Sequence, residues 1–207
     1  MTSRACARAG EVITAWPGYA VTPLCSLPGL ARDAGVASIH YKDEGSRFGL
    51  GSFKALGGAY AVARLLCREL GERLGRSVSP AQLQGDPVLR QAGAGITVTC
   101  ATDGNHGRSV AWGAQMLGCR CVIYIHATVS EGRKEAIARY GAEVVRTAGN
   151  YDDAVQQADR DARANGWFVI SDTSYPGYMD IPRDVMQGYQ LMVDEAVSAW
   201  PQWPTHV

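Results

Sequence analysis

Five side chains in this sequence are suited to chemistry if the rest of the chain can bring them together: Lys54, Asp103, Asn105, His106 and Asp172. Lys54 lies in Leu50-Gly51-Ser52-Phe53-Lys54-Ala55-Leu56-Gly57-Gly58-Ala59-Tyr60, between a glycine-rich approach and a glycine pair. Ser52 is a candidate N-cap, which puts Lys54 in the first turn of a helix. There the positive end of the helix dipole disfavours an ammonium, and partial burial acts in the same direction. A neutral amine is the form that attacks an aldehyde. Lysines also begin many surface helices, so Lys54 alone does not decide the chemistry.

The second informative stretch is Thr99-Cys100-Ala101-Thr102-Asp103-Gly104-Asn105-His106-Gly107, which reads as a strand, a polar turn and a helix start. Consecutive backbone N–H groups at a helix start suit a carboxylate or a phosphate. In a parallel α/β sheet, ligands lie at the carboxyl ends of the strands, where this turn belongs. Gly93-Ala94-Gly95 precedes its strand instead of following it, which excludes a dinucleotide loop. There is no GxSxG motif, and no cysteine has a motif-spaced histidine.

The elements that must position these residues follow from periodicity. Phe53, Leu56, Tyr60, Ala63, Cys67 and Leu70 form one apolar stripe on a helix spanning 52–74. Residues 1–35 read as loop-rich, with an extended arm at 21–24 and a short helix after it, and 36–41 alternates like a strand. Residues 75–95 are polar and broken and read as an insertion. From residue 96, strands at 96–101, 121–125, 143–147 and 167–170 alternate with helices at 105–117, 130–140 and 150–165. That rhythm means βαβ units and a parallel sheet. A last helix, about 183–199, is expected to bury Met186, Tyr189, Val193 and Val197.

Composition narrows the class. Twenty acids balance twenty basic residues over 207 positions, so nothing points to nucleic acid or an anionic membrane. No apolar run approaches the ~20 residues of a membrane span. Arg4 and Arg8 are followed by no apolar stretch, and Glu11 interrupts the segment, so the expected compartment is the cytoplasm. The six cysteines form no CxxC pair, which fits reduced, buried thiols. His106 and His126 lack helix-spaced carboxylate or thiol partners, and no metal site is expected.

Together, Ser52-Phe53-Lys54 and Thr102-Asp103-Gly104-Asn105-His106-Gly107 resemble the fold-type II pyridoxal-phosphate enzymes, the tryptophan synthase β-like group. Within it, Gly49 to Tyr60, Ala101 to Arg108 and Met186-Gln187-Gly188-Tyr189 are most similar to the diaminopropionate ammonia-lyases. The resemblance implies a three-layer α/β/α fold with a parallel sheet. Residues 1–95 would begin a larger domain, 96–172 would form a smaller one, and 173–207 would return to the larger. It further implies that Lys54 binds the aldehyde of pyridoxal 5'-phosphate as a Schiff base, that Phe53 packs near the ring, and that Asn105 hydrogen-bonds the cofactor's phenolic oxygen. The amides of Thr102, Asp103, Gly104, Asn105 and His106 would receive the substrate α-carboxylate.

The implied reaction is the elimination of 2,3-diaminopropionate to pyruvate and ammonia. In it, Lys54 deprotonates one enantiomer, Asp103 deprotonates the other, and Asp172 holds the leaving amine. A dehydratase-like elimination from serine or threonine, or a non-catalytic remnant, are the alternatives. The group's glycine-rich phosphate loop does not follow residue 175, where Gly177 and Gly188 stand isolated. The expectation is therefore the N-terminal part of a longer enzyme, homodimeric when whole, with weak or no activity as this chain alone.

Overall fold

The computed structural model describes residues 2–200 and residue 206. Four parallel strands build the main sheet: β3 (Thr97–Ala101), β4 (Arg120–Ile125), β5 (Glu143–Arg146) and β6 (Phe168–Val169), in the order β5-β4-β3-β6. The helices between them are α6 (Asn105–Leu117), α7 (Glu131–Ala138) and α8 (Tyr151–Asn165). Alternate residues of β4 divide the core: Cys121, Ile123 and Ile125 join the large cluster on the α6 side, while Val122 and Tyr124 pack with Ala154 and Ala158 of α8. That is a three-layer α/β/α arrangement, as the alternation of strands and helices required. Side-chain and glycine caps bound these helices. Ser130 accepts from Arg133, Asn150 forms a capping box with Asp153, and Gly166 closes α8 in the left-handed region.

Before the sheet come α1 (Ser3–Thr14), β1 (Leu24–Ser26), α2 (Pro28–Ala34), β2 (His40–Lys42), α3 (Lys54–Leu74), α4 (Pro80–Gly85) and α5 (Pro87–Gly93); α9 (Asp180–Ala199) follows it. β1 and β2 pair antiparallel, so the expected strand over 36–41 is confined to its last two residues and Lys42. Two regions read as irregular are helical. The first 14 residues carry α1, capped by Thr2, with Ala9 and Ile13 fully buried. Residues 75–95 hold two short helices, each begun by a proline behind a capping Ser79 or Asp86. Val78, Leu83 and Leu89 are core residues there, so the segment contributes to the core.

α3 is not a one-striped surface helix. Its buried residues run from Ala55 to Leu70 on every side, because α6 and α9 flank it. The glycine pair explains how two neighbours fit. A Cβ on Gly58 would strike the Ser109 side chain of α6, and one on Gly57 would meet the Val185 carbonyl and Tyr189 ring of α9. Across the same contact, a Cβ on Gly188 would collide with the Leu56 carbonyl and lie 2.9 Å from the Gly57 Cα. Gly188→Ala is accordingly expected to destabilise the fold by roughly 1–3 kcal/mol, read as a lowered denaturant midpoint at unchanged slope. An unchanged midpoint would mean that the helix crossing is looser than the structure shows.

This close approach also corrects the buried face of α9. Met186 and Val193, expected inside, are 49% and 42% exposed, while Val185, Gly188, Leu191 and Glu195 are buried. The helix is rotated by about one residue from its apolar stripe. Backbone contact at Gly188 and capture of the Glu195 carboxylate outweigh the burial of two apolar side chains. Glu195 accepts from Arg47 twice, at 2.9 and 2.6 Å, from Lys42 at 2.6 Å and from Tyr19 at 2.9 Å. Arg47, 1% exposed, also binds both Glu44 oxygens, the Ala20 carbonyl and the Thr22 hydroxyl. The network ties α9 to the turn over Glu44–Gly49 that leads to Lys54.

Candidate active site

The strand order places a site. From β3 the chain winds outward through β4 and β5, then returns to add β6 on the other side of β3. The crevice at the carboxyl ends of β3 and β6 is therefore the switch point of the sheet, where open α/β folds bind ligands. The turn over 102–107 follows β3, and Asp172 follows β6. A cleft of about 370 Å³ opens there, lined by Lys54, Ala101, Thr102, Asp103, Asn105, His106, Tyr151 and Asp172.

Lys54 is the first residue of α3, with Phe53 rather than Ser52 at the cap; the Ser52 hydroxyl still accepts from the Lys54 N–H at 3.2 Å. The Lys54 carbonyl accepts from the Ser109 hydroxyl at 2.6 Å, which fixes the helix start against α6. The Lys54 amine meets Asp172 Oδ2 at 2.6 Å. It also lies 5.4 Å from the centre of the Phe53 ring and 5.2 Å from that of Tyr189, within reach of a cation–π attraction. The two rings meet edge to face at 4.9 Å.

Burial works against the Asp172 carboxylate, while His106 and the hydrogen-bonded Lys54 work for it, and its pKa lies below the ordinary aspartate value. His106 is itself pushed below its ordinary value by burial. Near neutral pH the imidazole is uncharged, so the Lys54 ammonium is the partner that keeps Asp172 ionised.

In the turn, the Thr102 hydroxyl accepts from the Gly104 and Gly107 amides at 3.1 and 3.2 Å, and the Thr102 amide is bound to the Tyr124 carbonyl. Three of the turn's donors are thus engaged. The opening amides of α6, on Asn105 and His106, have no acceptor within the helix and remain to receive an anion. The Asp103 and Asn105 side chains are exposed at the rim of the cleft. The Asp103 carbonyl accepts from Arg133 at 3.4 Å, and Asn105 Oδ1 accepts from Arg108 at 3.2 Å.

Two contributors escaped the sequence reading. Tyr151 lines the cleft from the first turn of α8; its phenol is raised by burial and then by the charge of Asp172. Its place just after the Asn150 cap, beyond the carboxyl end of β5, is the signal that could have found it. Tyr189 looked like one apolar position among four, yet it stands beside Lys54 with its buried hydroxyl unpartnered.

These features fit a flat, polar aromatic aldehyde. An amine stands beside a pair of touching aromatic rings at one end of a cleft, and the buried Tyr189 hydroxyl and His106 Nδ1 lack partners. Among the described residues no group of three or more His, Cys, Asp or Glu could hold a metal ion, and no helix is long and apolar enough to cross a membrane.

Comparison with known proteins agrees. Over 193 residues the chain is 44% identical to diaminopropionate ammonia-lyase of Escherichia coli strain K12, covering 92% of this chain and 47% of that relative. Its identity to diaminopropionate ammonia-lyase of Salmonella typhimurium is also 44%, over 92% of this chain and 48% of the relative. A crystal structure of diaminopropionate ammonia lyase from Escherichia coli in complex with D-serine superposes with a TM-score of 0.85 and 42% identity, over 95% of this chain and 49% of that one. The chain spans about half the length of the relatives it matches. The profile of the family described as pyridoxal-phosphate dependent enzyme matches residues 15–207, and this chain belongs to that family.

Proposed function

We propose that this chain takes part in the elimination of both amino groups of 2,3-diaminopropionate, giving pyruvate and ammonia. The observation that carries the reading is the Lys54 amine at 2.6 Å from Asp172, in one cleft with the 102–107 turn. Lys54, Phe53 and Asn105 would hold pyridoxal phosphate. When bound, the cofactor supplies an electron sink for charge at the substrate α-carbon. The free amides of Asn105 and His106 orient the α-carboxylate. Lys54 takes the α-proton of one enantiomer, and Asp103, at the rim, takes that of the other. Asp172, held ionised, receives the β-ammonium that departs.

We further propose a lobe over 96–172 set against residues 1–95 and 173–207, and a homodimeric, cytoplasmic enzyme of amino-acid catabolism. A serine or threonine dehydratase-like elimination is the second reading, and the similarity to a lyase complexed with D-serine keeps it open. Two carboxylates, Asp103 and Asp172, on one cleft favour the substrate with the additional ammonium.

Ammonia and pyruvate release from diaminopropionate and from serine, measured side by side in an active preparation, separates the two. Asp103→Asn is expected to slow one enantiomer of diaminopropionate by about 10²–10⁴-fold, the contribution of a positioned base, and to spare the other. Unchanged turnover of both enantiomers would remove Asp103 from the mechanism.

A further inference from the structure

One buried group of the cleft has no role in this scheme beyond its backbone. The His106 side chain is 7% exposed, with its Nε2 at 2.8 Å from the Ile170 carbonyl. A carbonyl only accepts, so Nε2 carries the hydrogen and Nδ1 presents a bare lone pair. Nδ1 has no hydrogen-bond partner and lies 3.6 Å from Asp172 Oδ2. That is longer than the 2.7–2.9 Å of a charge-assisted bond, as expected for two acceptors held face to face. The same oxygen, Oδ2, binds the Lys54 ammonium. Lys54, Asp172 and His106 thus meet at one atom.

We infer that His106 is a positioning residue that holds a proton for this cleft: when the charge on Lys54 is lost, a proton occupies His106 Nδ1 and bridges to Asp172 Oδ2. The balance is simple. An N–H bond breaks at Lys54 Nζ and one forms at His106 Nδ1. Ammonium, carboxylate and neutral imidazole become amine, carboxylate and imidazolium, so the three groups keep a net charge of zero. Asp172 then never stands unpaired, and Lys54 is released as the neutral amine that an aldehyde requires.

The electrostatics agree in sign. Burial holds His106 neutral, Lys54 adds to that, and Asp172 and the Ile170 carbonyl oppose it. Removing the Lys54 charge leaves Asp172 as the charged neighbour. The other titratable groups on the cleft are Asp103 in the turn and Tyr151 on α8, and the Tyr189 and Tyr178 phenols and the Cys100 thiol, all pushed up by burial and therefore neutral, also feel Asp172. Asp103 adds negative charge, and Tyr151, raised, stays neutral.

The inference deepens the proposed function, because it assumes that Lys54 must lose its proton, but its test needs no cofactor. The imidazole nitrogens of His106 are followed by ¹⁵N-resolved NMR against pH in the cofactor-free chain. In the wild type His106 is expected as the Nε2–H tautomer, titrating below the ordinary histidine value. In Lys54→Ala its midpoint rises measurably, because a positive charge that opposes protonation of the ring is gone. In Lys54→Arg, which keeps the cation, it stays at the wild-type value, and in Asp172→Asn it falls. A midpoint that is the same in Lys54→Ala and Lys54→Arg, or an Nδ1–H tautomer in the wild type, overturns the inference. Neither result bears on whether Lys54 captures pyridoxal phosphate, which is read separately from the adduct.

Discussion

If the proposed function holds, Lys54→Ala is expected to abolish covalent capture of pyridoxal phosphate and, in an active preparation, to slow diaminopropionate elimination by at least about 10⁴-fold. One substitution removes both the attachment point and a base worth about 10²–10⁴ alone. The sequence makes the experiment unusually clean, since it contains three lysines: 42, 54 and 134. Lys42 is held by Glu195 and the Thr22 carbonyl, and Lys134 lies on α7 near Glu131. Lys54 alone of the three lines the cleft. After borohydride reduction, mass spectrometry should therefore find the adduct on the Lys54 peptide in the wild type and on none in the variant. Lys54→Arg separates chemistry from folding, since it preserves a cation for Asp172 yet forms no Schiff base. An adduct that persists in Lys54→Ala, or one mapped to Lys42 or Lys134, would overturn the assignment.

The residues around Lys54 were legible because each carries a local rule. The glycine pair after it, the Gly104-Asn105 helix start and the spacing of strands from residue 96 are short-range signals, and the structure keeps all three. The fold-type II resemblance and the three-layer architecture could be reached from them. Partnership across the chain was not legible. Nothing near Asp172 in sequence says that it meets an amine 118 positions earlier, and nothing near Glu195 says that it answers an arginine 148 positions away. For the same reason the buried side of α9 departs from its apolar stripe at Met186 and Val193, while Tyr189 still packs on the core: a close glycine contact and a buried ion network set the rotation. α1 and the helices at 80–93 carry weak local signals: the large apolar residues of α1 are few and mixed with charge, and Pro80 and Pro87, which look disruptive, sit at first-turn positions where proline is at home.

Glu195→Gln gives the largest expected loss of stability away from the cleft. The glutamate is the common acceptor of Arg47, Lys42 and Tyr19, and removing its charge leaves the part-buried Lys42 without an acidic partner and the buried Arg47 with Glu44 alone. Breaking such a network from one side costs about 3–5 kcal/mol, a large part of the 5–15 kcal/mol that holds a typical domain. Acid should show the same dependence. Burial pushes the Glu195 carboxyl up, but hydrogen bonds from Arg47, Lys42 and Tyr19 overcome this and hold its pKa at about 2, against 4.5 ordinarily. A depressed carboxyl contributes its full stability above the ordinary value and loses it as pH falls from there towards about 2. Wild-type stability should therefore decline over that window more steeply than that of Glu195→Gln, in urea titrations at stepped pH. The effect reaches the site, because Arg47 and Glu44 lie on the turn that delivers Gly51 and Lys54 to the cleft. Phe48 in that turn holds a left-handed φ of 49°, a conformation that persists only while its surroundings enforce it. Its ring is packed against Trp16, Tyr19 and Trp112. Loosening Glu195 frees the Arg47 end of the turn, so the variant should capture pyridoxal phosphate more slowly even where it is still folded. A variant within about 0.5 kcal/mol of the wild type, with unchanged capture, would show that the aromatic packing alone holds the approach to Lys54.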